Sequence, residues 1–284
     1  MSTPLLVTPD WLAERLGEPR VRPIDVRWYL TERERGKREY LEGHIPGAAH
    51  LDIETDLAAA AYDGPGRHPI PAAAVFAATM AQAGIGADTH VIAYDSSGGA
   101  AAARLWWLLG YFGHTDVSLL DGGWMEWLAR GYLTESGLAT VAPAQFTPRP
   151  HDNLVIDAAS VEALRHNPAT LLLDARAAER YEGRVEPIDK RAGHIPGAKS
   201  APYAANLNQD GSFKTAAELK ARYDALGAAQ ATQIVCYCGS GVTAAHDLFA
   251  LRLAGYDGLL YEGSWSDWSS DPARPVAGGV EETR

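Results

Sequence analysis

The amino-acid sequence contains one internal duplication, and this feature most limits the folds that the chain can adopt. Four short motifs of the N-terminal half recur in the same order in the C-terminal half, at separations of 141 to 150 residues. Such a period is too long for a solenoid of stacked repeats, so the pattern predicts one domain that was copied once. The paired segments are 23–27 with 172–176, 43–48 with 193–198, 91–95 with 234–238, and 121–124 with 262–265.

The duplication also predicts the domain organisation. We expect the first domain over residues 4–136 and the second over residues 154–276, each of ordinary domain size. Residues 137–153 between them include Pro143, Pro148 and Pro150 and show no hydrophobic periodicity. This composition is typical of a linker.

Short apolar runs alternate with helical patterns in each copy. In the second copy we predict strands over 170–174, 233–237 and 259–261, and helices over 216–226 and 243–253. This alternation favours an α/β fold with two similar domains, each a mainly parallel sheet flanked by helices. Ligands of such sheets bind beyond the carboxyl ends of the strands, and Cys238 lies at such an end.

Charge and cysteine content exclude several classes of protein. The formal net charge of −11 argues against binding to nucleic acid, and no apolar run approaches the ~20 residues of a membrane helix. The N-terminus does not resemble a secretory signal, and two cysteines two residues apart cannot form a disulfide framework. We therefore expect a cytoplasmic protein that needs no metal and no organic cofactor.

The segment 238–243, with the sequence CGSGVT, follows a predicted strand and opens a predicted helix. Gly239 and Gly241 are expected to let the backbone turn tightly with positive φ, so that successive N–H groups form an anion-binding nest. The positive end of the helix dipole adds to this effect. The setting favours an anionic sulfur, so Cys238 is predicted to be a nucleophile.

The duplication supplies an internal comparison for this loop. The first copy has Asp95 at the position of Cys238. A carboxylate cannot form a persulfide, so the first domain is predicted to be inactive and the second to be catalytic.

These motifs resemble those of the tandem-domain rhodanese sulfurtransferases, which use 3-mercaptopyruvate or thiosulfate. The resemblance covers nearly the whole chain and rests on the paired GHIPGA motifs, the Asp95 and Cys238 pair, and the CGSGVT loop. It implies a ping-pong cycle, in which Cys238 takes a sulfane sulfur as a persulfide and passes it to a thiophilic acceptor. It also implies a set of substrate-binding residues: Gly239, Ser240, Gly241, Val242, Thr243 and Arg180.

The sulfur donor is less clearly indicated by the sequence. Family members that prefer 3-mercaptopyruvate resemble this chain in the Gly-Ser-Gly part of the loop, where the serine polarises the keto acid. In those members two arginines hold the donor, and Arg180 matches the first, whereas Ile188 occupies the position of the second. Three nearby cations remain as candidates to replace the second arginine: Arg184, Lys190 and Arg191. We expect 3-mercaptopyruvate as the donor, with thiosulfate as the alternative.

Several other residues have a structural and a functional interpretation. Cys236 is expected to be a small core residue rather than a redox partner. His44 and His194 occur in both copies, which favours a structural role, although the resemblance leaves His44 open as a partner of the loop serine. Thr243 is expected to cap the following helix or to contact the cysteine. For Trp265 and Trp268 of the last motif we expect core or interdomain packing rather than a place in the lining of the pocket, because Trp124 and Trp127 repeat the pattern in the first copy.

Rival functions fit the loop less well. A cysteine phosphatase needs an arginine at the end of the loop, where this chain has Ala244. A disulfide oxidoreductase is typically built on a Cys-x-x-Cys motif, whereas this chain has a Cys-x-Cys pair at Cys236 and Cys238. A non-catalytic binding module fits the first domain only, and a persulfide carrier that serves a protein partner remains an alternative. The acceptor is expected to be cyanide, a small thiol or thioredoxin, and the protein a monomer.

Overall fold

A computed structural model describes residues 3–61 and 64–278 of the chain. The described residues divide into two compact units, and neither unit is continuous in sequence. The first unit extends to Ala59, resumes over Ile70–His151 and includes Leu207–Phe213. The second unit contains Ala60–Pro69 and Asp152–Asn206 and continues from Lys214. One connecting segment of each repeat therefore belongs to the unit that is formed mainly by the other repeat. The sequence-based division into 4–136 and 154–276 did not predict this exchange of segments.

The first unit contains a five-stranded parallel sheet in the order β1-β5-β4-β2-β3. Its strands are β1 (Leu6–Val7), β2 (Val21–Asp25), β3 (Ala49–His50), β4 (His90–Tyr94) and β5 (Val117–Leu120). The flanking helices are α1 (Pro9–Ala13), α2 (Arg35–Glu42), α3 (Ala73–Gln82), α4 (Ala102–Tyr111) and α5 (Gly123–Ala129).

The second unit repeats this topology in the order β6-β10-β9-β7-β8, again with parallel strands only. Its strands are β6 (Val155–Ile156), β7 (Thr170–Asp174), β8 (Lys199–Ser200), β9 (Gln233–Tyr237) and β10 (Leu259–Tyr261). The helices are α6 (Ala158–Leu164), α7 (Ala178–Tyr181), α8 (Ala216–Ala225), α9 (Val242–Leu253) and α10 (Ser264–Trp268). The predicted α/β class with two flanked parallel sheets is confirmed.

The core of the second unit explains why the last motif contains tryptophans. Trp265 and Trp268 are fully buried and pack with Val235 and Tyr237 of β9, which face the same side because strand side chains alternate. The polar edges of both indoles are satisfied, because Trp265 Nε1 donates to the carbonyl of Arg191 at 2.9 Å and Trp268 Nε1 to that of Pro275 at 2.8 Å. The predicted core role of these tryptophans is confirmed.

A repeated pair of aspartate and arginine has a structural role in both units. In the second unit, Arg176 makes a forked pair with Asp174 and also donates to the carbonyl of Gly193 at 2.7 Å. Arg27 does the same with Asp25 and Gly43 in the first unit. Because the pairs are buried and their hydrogen bonds are satisfied, they hold the GHIPGA loop against the strand.

The chain contains no helix that could span a bilayer, as far as the described residues show.

Candidate active site

Cys238 lies at the carboxyl end of β9, the central strand of the second sheet. Its backbone is held from the adjacent segment that leads into α10. The N–H of Cys238 donates to Ser264 Oγ at 3.1 Å, and the Cys238 carbonyl accepts from the N–H of Trp265 at 2.9 Å. One residue further, the carbonyl of Gly239 accepts from the N–H of Ser266 at 2.9 Å. The loop is therefore fixed at its first two residues before any ligand binds.

Ser264, which holds the Cys238 amide, has an unusual backbone conformation. Its φ of 51° makes it the one non-glycine residue with positive φ in the described part of the chain, and the first unit has Gly123 with φ 55° at the same position. Left-handed backbone costs a residue with a side chain about 1–2 kcal/mol. The hydroxyl offsets part of this cost, because Ser264 Oγ also donates to the carbonyl of Tyr261 at 2.9 Å.

Gly241 makes the turn into α9. It is the N-cap residue with φ 83°, and its N–H donates to Cys238 Sγ at 3.1 Å. This contact agrees with the expected backbone cradle for a sulfur anion. The expectation that Thr243 caps the helix is wrong, because the cap is Gly241 and α9 already begins at Val242.

Gly239 is needed for a different reason than the sequence predicted. Its φ is not in the positive region, so the expectation for this glycine is wrong. A Cβ atom at residue 239 would instead lie 3.0 Å from Arg67 Nη2 and 3.5 Å from Arg180 Nη1. Glycine is favoured here because two guanidinium groups approach the loop closely.

The first unit shows the same kind of loop with an anionic side chain inside it. Asp95 is buried, and its carboxyl oxygens accept four backbone hydrogen bonds of 2.7 to 2.9 Å. The donors are the N–H groups of Ser97, Gly99, Ala101 and Ala102. This loop therefore concentrates N–H donors on the side chain that occupies the position of Cys238.

A histidine lies at Ser240, but it is His68 and not His44. His68 Nδ1 is 2.7 Å from Ser240 Oγ, and both side chains are buried in the second unit. His44 belongs to the first unit, where its Nδ1 donates to the carbonyl of Tyr40 at 2.8 Å and its ring stacks on Tyr40. His194 repeats this pattern with Tyr181, so the structural interpretation of the repeated histidines holds.

Arg180 lies beside the loop at Gly239, and it is accompanied by Arg67. Arg180 Nη2 donates to Glu186 Oε1 at 2.7 Å and to Asp189 Oδ2 at 3.1 Å. Arg67 Nη1 forms an ion pair with the other oxygen of Asp189. Asp189 therefore bridges the two guanidinium groups beside Gly239.

The two carboxylates of this cluster differ in their titration. Burial raises the pKa of Asp189 above its usual value, although Arg67 and Arg180 act in the opposite direction. Burial is also the largest influence on Glu186 and acts to raise its pKa, but the hydrogen bonds from Arg180 and from the N–H groups of Ile188 and Asp189, together with the charge of Arg180, outweigh it and lower the pKa of Glu186. Both effects follow from low solvation combined with nearby guanidinium charge.

The other candidate cations do not join this cluster. Arg191 donates to four backbone carbonyls at 2.6 to 3.0 Å, those of Trp268, Ser269, Asp271 and Arg274. Arg184 is exposed and pairs with Glu182, and Lys190 and Ile188 are exposed. The idea that one of these cations replaces the arginine missing at residue 188 gains no support.

Buried polar groups lie behind the loop. Cys236 is fully buried in β9, in agreement with a core role, and burial, reinforced by the charge of Asp247, raises the pKa of its thiol. Asp247 of α9 is also fully buried, and burial raises its pKa to about 7. Asn206 Nδ2 donates to Asp247 Oδ1 at 2.8 Å, whereas Oδ2 has no hydrogen-bond partner among the described residues.

Fold and site together define a class of protein: paired α/β domains of identical topology, one of which carries, at the end of its central strand, a cysteine whose sulfur accepts a hydrogen bond from a loop N–H. The model of the rhodanese-like domain matches twice, over residues 8–130 and 157–271. The chain belongs to this family, as the sequence predicted.

Similar proteins cover the chain almost end to end. A Pseudomonas aeruginosa protein named a probable 3-mercaptopyruvate sulfurtransferase is 47% identical over 98% of this chain and 100% of its own length. A Mycobacterium tuberculosis protein provisionally named a thiosulfate sulfurtransferase, SseB, is 40% identical over 97% of this chain and 98% of its own. The crystal structure of the 3-mercaptopyruvate sulfurtransferase SseA from Escherichia coli superimposes with a TM-score of 0.82 at 36% identity, over 93% of this chain and 100% of that one.

Proposed function

We propose that this protein is a sulfurtransferase in which Cys238 carries a sulfane sulfur as a persulfide from a small donor to a thiophilic acceptor. The observation that carries the proposal is the hydrogen bond from the Gly241 N–H to Cys238 Sγ at the start of α9. The four N–H donors around Asp95 support it, because they indicate how the corresponding loop of the first unit accommodates a larger anionic group. A persulfide extends the cysteine by one sulfur atom and places its charge further into such a nest.

The reaction has two half-steps. The Cys238 thiolate attacks the transferable sulfur of the donor, which is the thiol sulfur of 3-mercaptopyruvate or the outer sulfur of thiosulfate, and forms a new S–S bond. With 3-mercaptopyruvate the C–S bond breaks, and the electron pair leaves on an enolate that takes up a proton to give pyruvate. With thiosulfate the S–S bond of the donor breaks and sulfite leaves. The acceptor then removes the outer sulfur, for example as thiocyanate from cyanide, and restores the thiolate.

We favour 3-mercaptopyruvate as the donor. The loop has the Gly-Ser-Gly sequence, and Ser240 is paired with His68 at 2.7 Å, so that a hydroxyl group hydrogen-bonded to an imidazole lies two residues from the thiol. Such a pair suits a substrate whose leaving group is an enolate, because developing negative charge on the keto oxygen needs a hydrogen-bond donor. Thiosulfate remains the alternative donor, as the name of the Mycobacterium tuberculosis relative illustrates.

The remaining parts of the proposal concern the setting of the reaction. The two cysteines are free and buried, which suits a reducing compartment such as the cytoplasm. Cyanide, small thiols and thioredoxin are the acceptor classes to test, and we take the monomer as the working oligomeric state. A persulfide carrier for a protein partner would load sulfur in the same way but discharge slowly to small acceptors.

The test of the proposed chemistry is sulfur loading, followed by mass spectrometry of the intact protein. Incubation with either donor should add one sulfur atom to the wild type and to the Cys236→Ala control, and none to Cys238→Ser. Turnover by Cys238→Ser, or loading on Cys236 alone, would contradict the proposal.

The donor is decided by a separate measurement. We expect kcat/KM for 3-mercaptopyruvate to exceed that for thiosulfate, with cyanide as the common acceptor. The opposite ratio would identify a thiosulfate-preferring enzyme and leave the role of Cys238 unchanged.

A further inference from the structure

We infer that Arg67, which comes from the N-terminal half of the sequence, is the second cation of the donor-binding site and acts together with Arg180. The inference rests on the proposed function, because it assigns the donor to the space beside the Cys238 loop. It names a substrate class: a 2-oxo acid, whose carboxylate and neighbouring keto oxygen offer acceptors to two guanidinium groups.

Arg67 approaches the loop at the residue next to the nucleophile. A Cβ atom on Gly239 would lie 3.0 Å from Arg67 Nη2 and 3.5 Å from Arg180 Nη1, so both guanidinium groups face this point. The bridging carboxylate of Asp189 holds the two groups together. Arg67 therefore approaches the loop at least as closely as Arg180, the arginine named from the sequence.

The backbone around Arg67 is fixed to the catalytic loop by short contacts. The N–H of Arg67 donates to Ser266 Oγ at 3.2 Å, and the N–H of Ser266 donates to the carbonyl of Gly239. Gly66 has φ 81°, and a Cβ atom there would lie 2.5 Å from the carbonyl oxygen of Gly263. The chain at 66–67 is thus seated against the segment that positions Cys238, which preorganises the side chain for binding.

Arg67 also has hydrogen-bonding capacity to spare. Its Nε is buried and has no hydrogen-bond partner among the described residues, although its Nη1 pairs with Asp189. A buried donor without a partner is costly unless something supplies an acceptor. An anionic donor molecule beside Gly239 would provide one.

The duplicated loop of the first unit offers a comparison inside the same chain. There the segment Leu207–Phe213 is in the position that residues 60–69 have at the second loop. Cβ atoms on Gly98 and Gly99 would lie 2.3 Å from Leu207 and 3.2 Å from Phe213 respectively. The loop without a thiol is thus faced by apolar side chains, whereas the loop with the thiol is faced by Arg67 and His68.

The test separates the two half-reactions in three variants. Arg67→Gln removes the charge, Arg67→Lys keeps the charge but loses the planar fork, and Arg184→Gln removes an exposed arginine as a matched control. The first half-reaction is the rate of Cys238 loading by 3-mercaptopyruvate. The second is the discharge by cyanide of enzyme loaded beforehand with inorganic polysulfide, which bypasses the 2-oxo acid.

We expect Arg67→Gln to reduce kcat/KM for loading by 3-mercaptopyruvate about 10- to 100-fold, mostly through KM, since a charge-assisted contact to the substrate is lost. Arg67→Lys should retain part of the activity. Discharge by cyanide should stay within about threefold of the wild type in both variants, and Arg184→Gln should match the wild type in both steps.

Two outcomes would overturn the inference. Loading by 3-mercaptopyruvate that is unchanged in Arg67→Gln would show that Arg67 does not bind the donor. An equal fall of both half-reactions in Arg67→Gln and Arg67→Lys would show that Arg67 acts only through the structure of the loop. Failure of the proposed function itself looks different, because the wild type would then load no sulfur from any donor.

Discussion

The buried carboxyl of Asp247 makes a quantitative prediction about stability and pH. Its pKa is raised from 3.8 to about 7 because the side chain is fully buried on α9, the helix that follows the Cys238 loop. Only Oδ1 is well bonded, by Asn206 at 2.8 Å and Tyr223 at 3.3 Å. The folded protein therefore binds a proton at this site more tightly than the unfolded chain does.

The sign and the size follow from this difference in proton affinity. The stability that the bound proton contributes is fully present below pH 3.8 and is lost as the pH rises through about 7. At pH 5.5, which is roughly 1.5 pH units below the pKa in the folded protein, the bound proton contributes about 2 kcal/mol of stability. By about pH 8.5 this contribution has vanished. Asp247→Asn replaces the protonated acid by a neutral group of similar shape and should remove this dependence.

The assay is the free energy of unfolding from urea titrations of the wild type and Asp247→Asn at pH 5.5 and 8.5. The stability of the wild type relative to the variant should fall by about 2 kcal/mol between these two conditions. Asp210→Asn is the control. The hydrogen bond from Ser212 lowers the pKa of this exposed carboxyl, so the group does not titrate between pH 5.5 and 8.5. A relative stability that is constant or rises with pH would refute the reasoning.

Two further predictions concern residues around the loop. Gly241→Ala should destabilise the fold by about 1–2 kcal/mol, because residue 241 has a φ of 83°, and it should also slow persulfide formation. The control is Gly255→Ala, at a residue with φ 84° and open space around it. This variant should lose the same stability in urea unfolding but leave sulfur loading unchanged. Arg191→Ala should reduce stability by roughly 3 kcal/mol because four carbonyls lose their donor, with kcat/KM per folded site unchanged for both donors. A selective loss of activity towards 3-mercaptopyruvate in that variant would instead show that Arg191 binds the donor.

The elements with strong local patterns are the ones that the sequence predicts well. The strands at 170–174, 233–237 and 259–261 have the predicted bounds, because apolar runs between turn residues mark buried parallel strands clearly. The helices at 216–226 and 243–253 differ from the observed α8 and α9 by one residue at one end. In the second case the left-handed turn ends at Gly241, so the helix starts at Val242.

The second half of the candidate site could not be found in the same way. Arg67 and His68 lie about 170 residues before the loop, in a segment without helix or strand, and neither belongs to a repeated motif. Comparison of the copies identifies only what they share, so it could not indicate His68, and the family resemblance left His44 as the candidate partner of the serine. The sequence did contain a usable signal, which was a difference between the copies rather than a similarity. A Gly- and Pro-rich stretch of the first repeat carries an arginine and a histidine that have no counterpart in the second repeat.

The membership of residues 60–69 in the second unit has a consequence for the history of the gene. With the proposed roles of Arg67 and His68, a deletion that trimmed the coding sequence to its second repeat would remove both side chains together with the first repeat. Recombination that separates the repeats would then yield two inactive products. Selection for sulfur transfer would thereby preserve a domain whose own loop has Asp95 in place of the thiol.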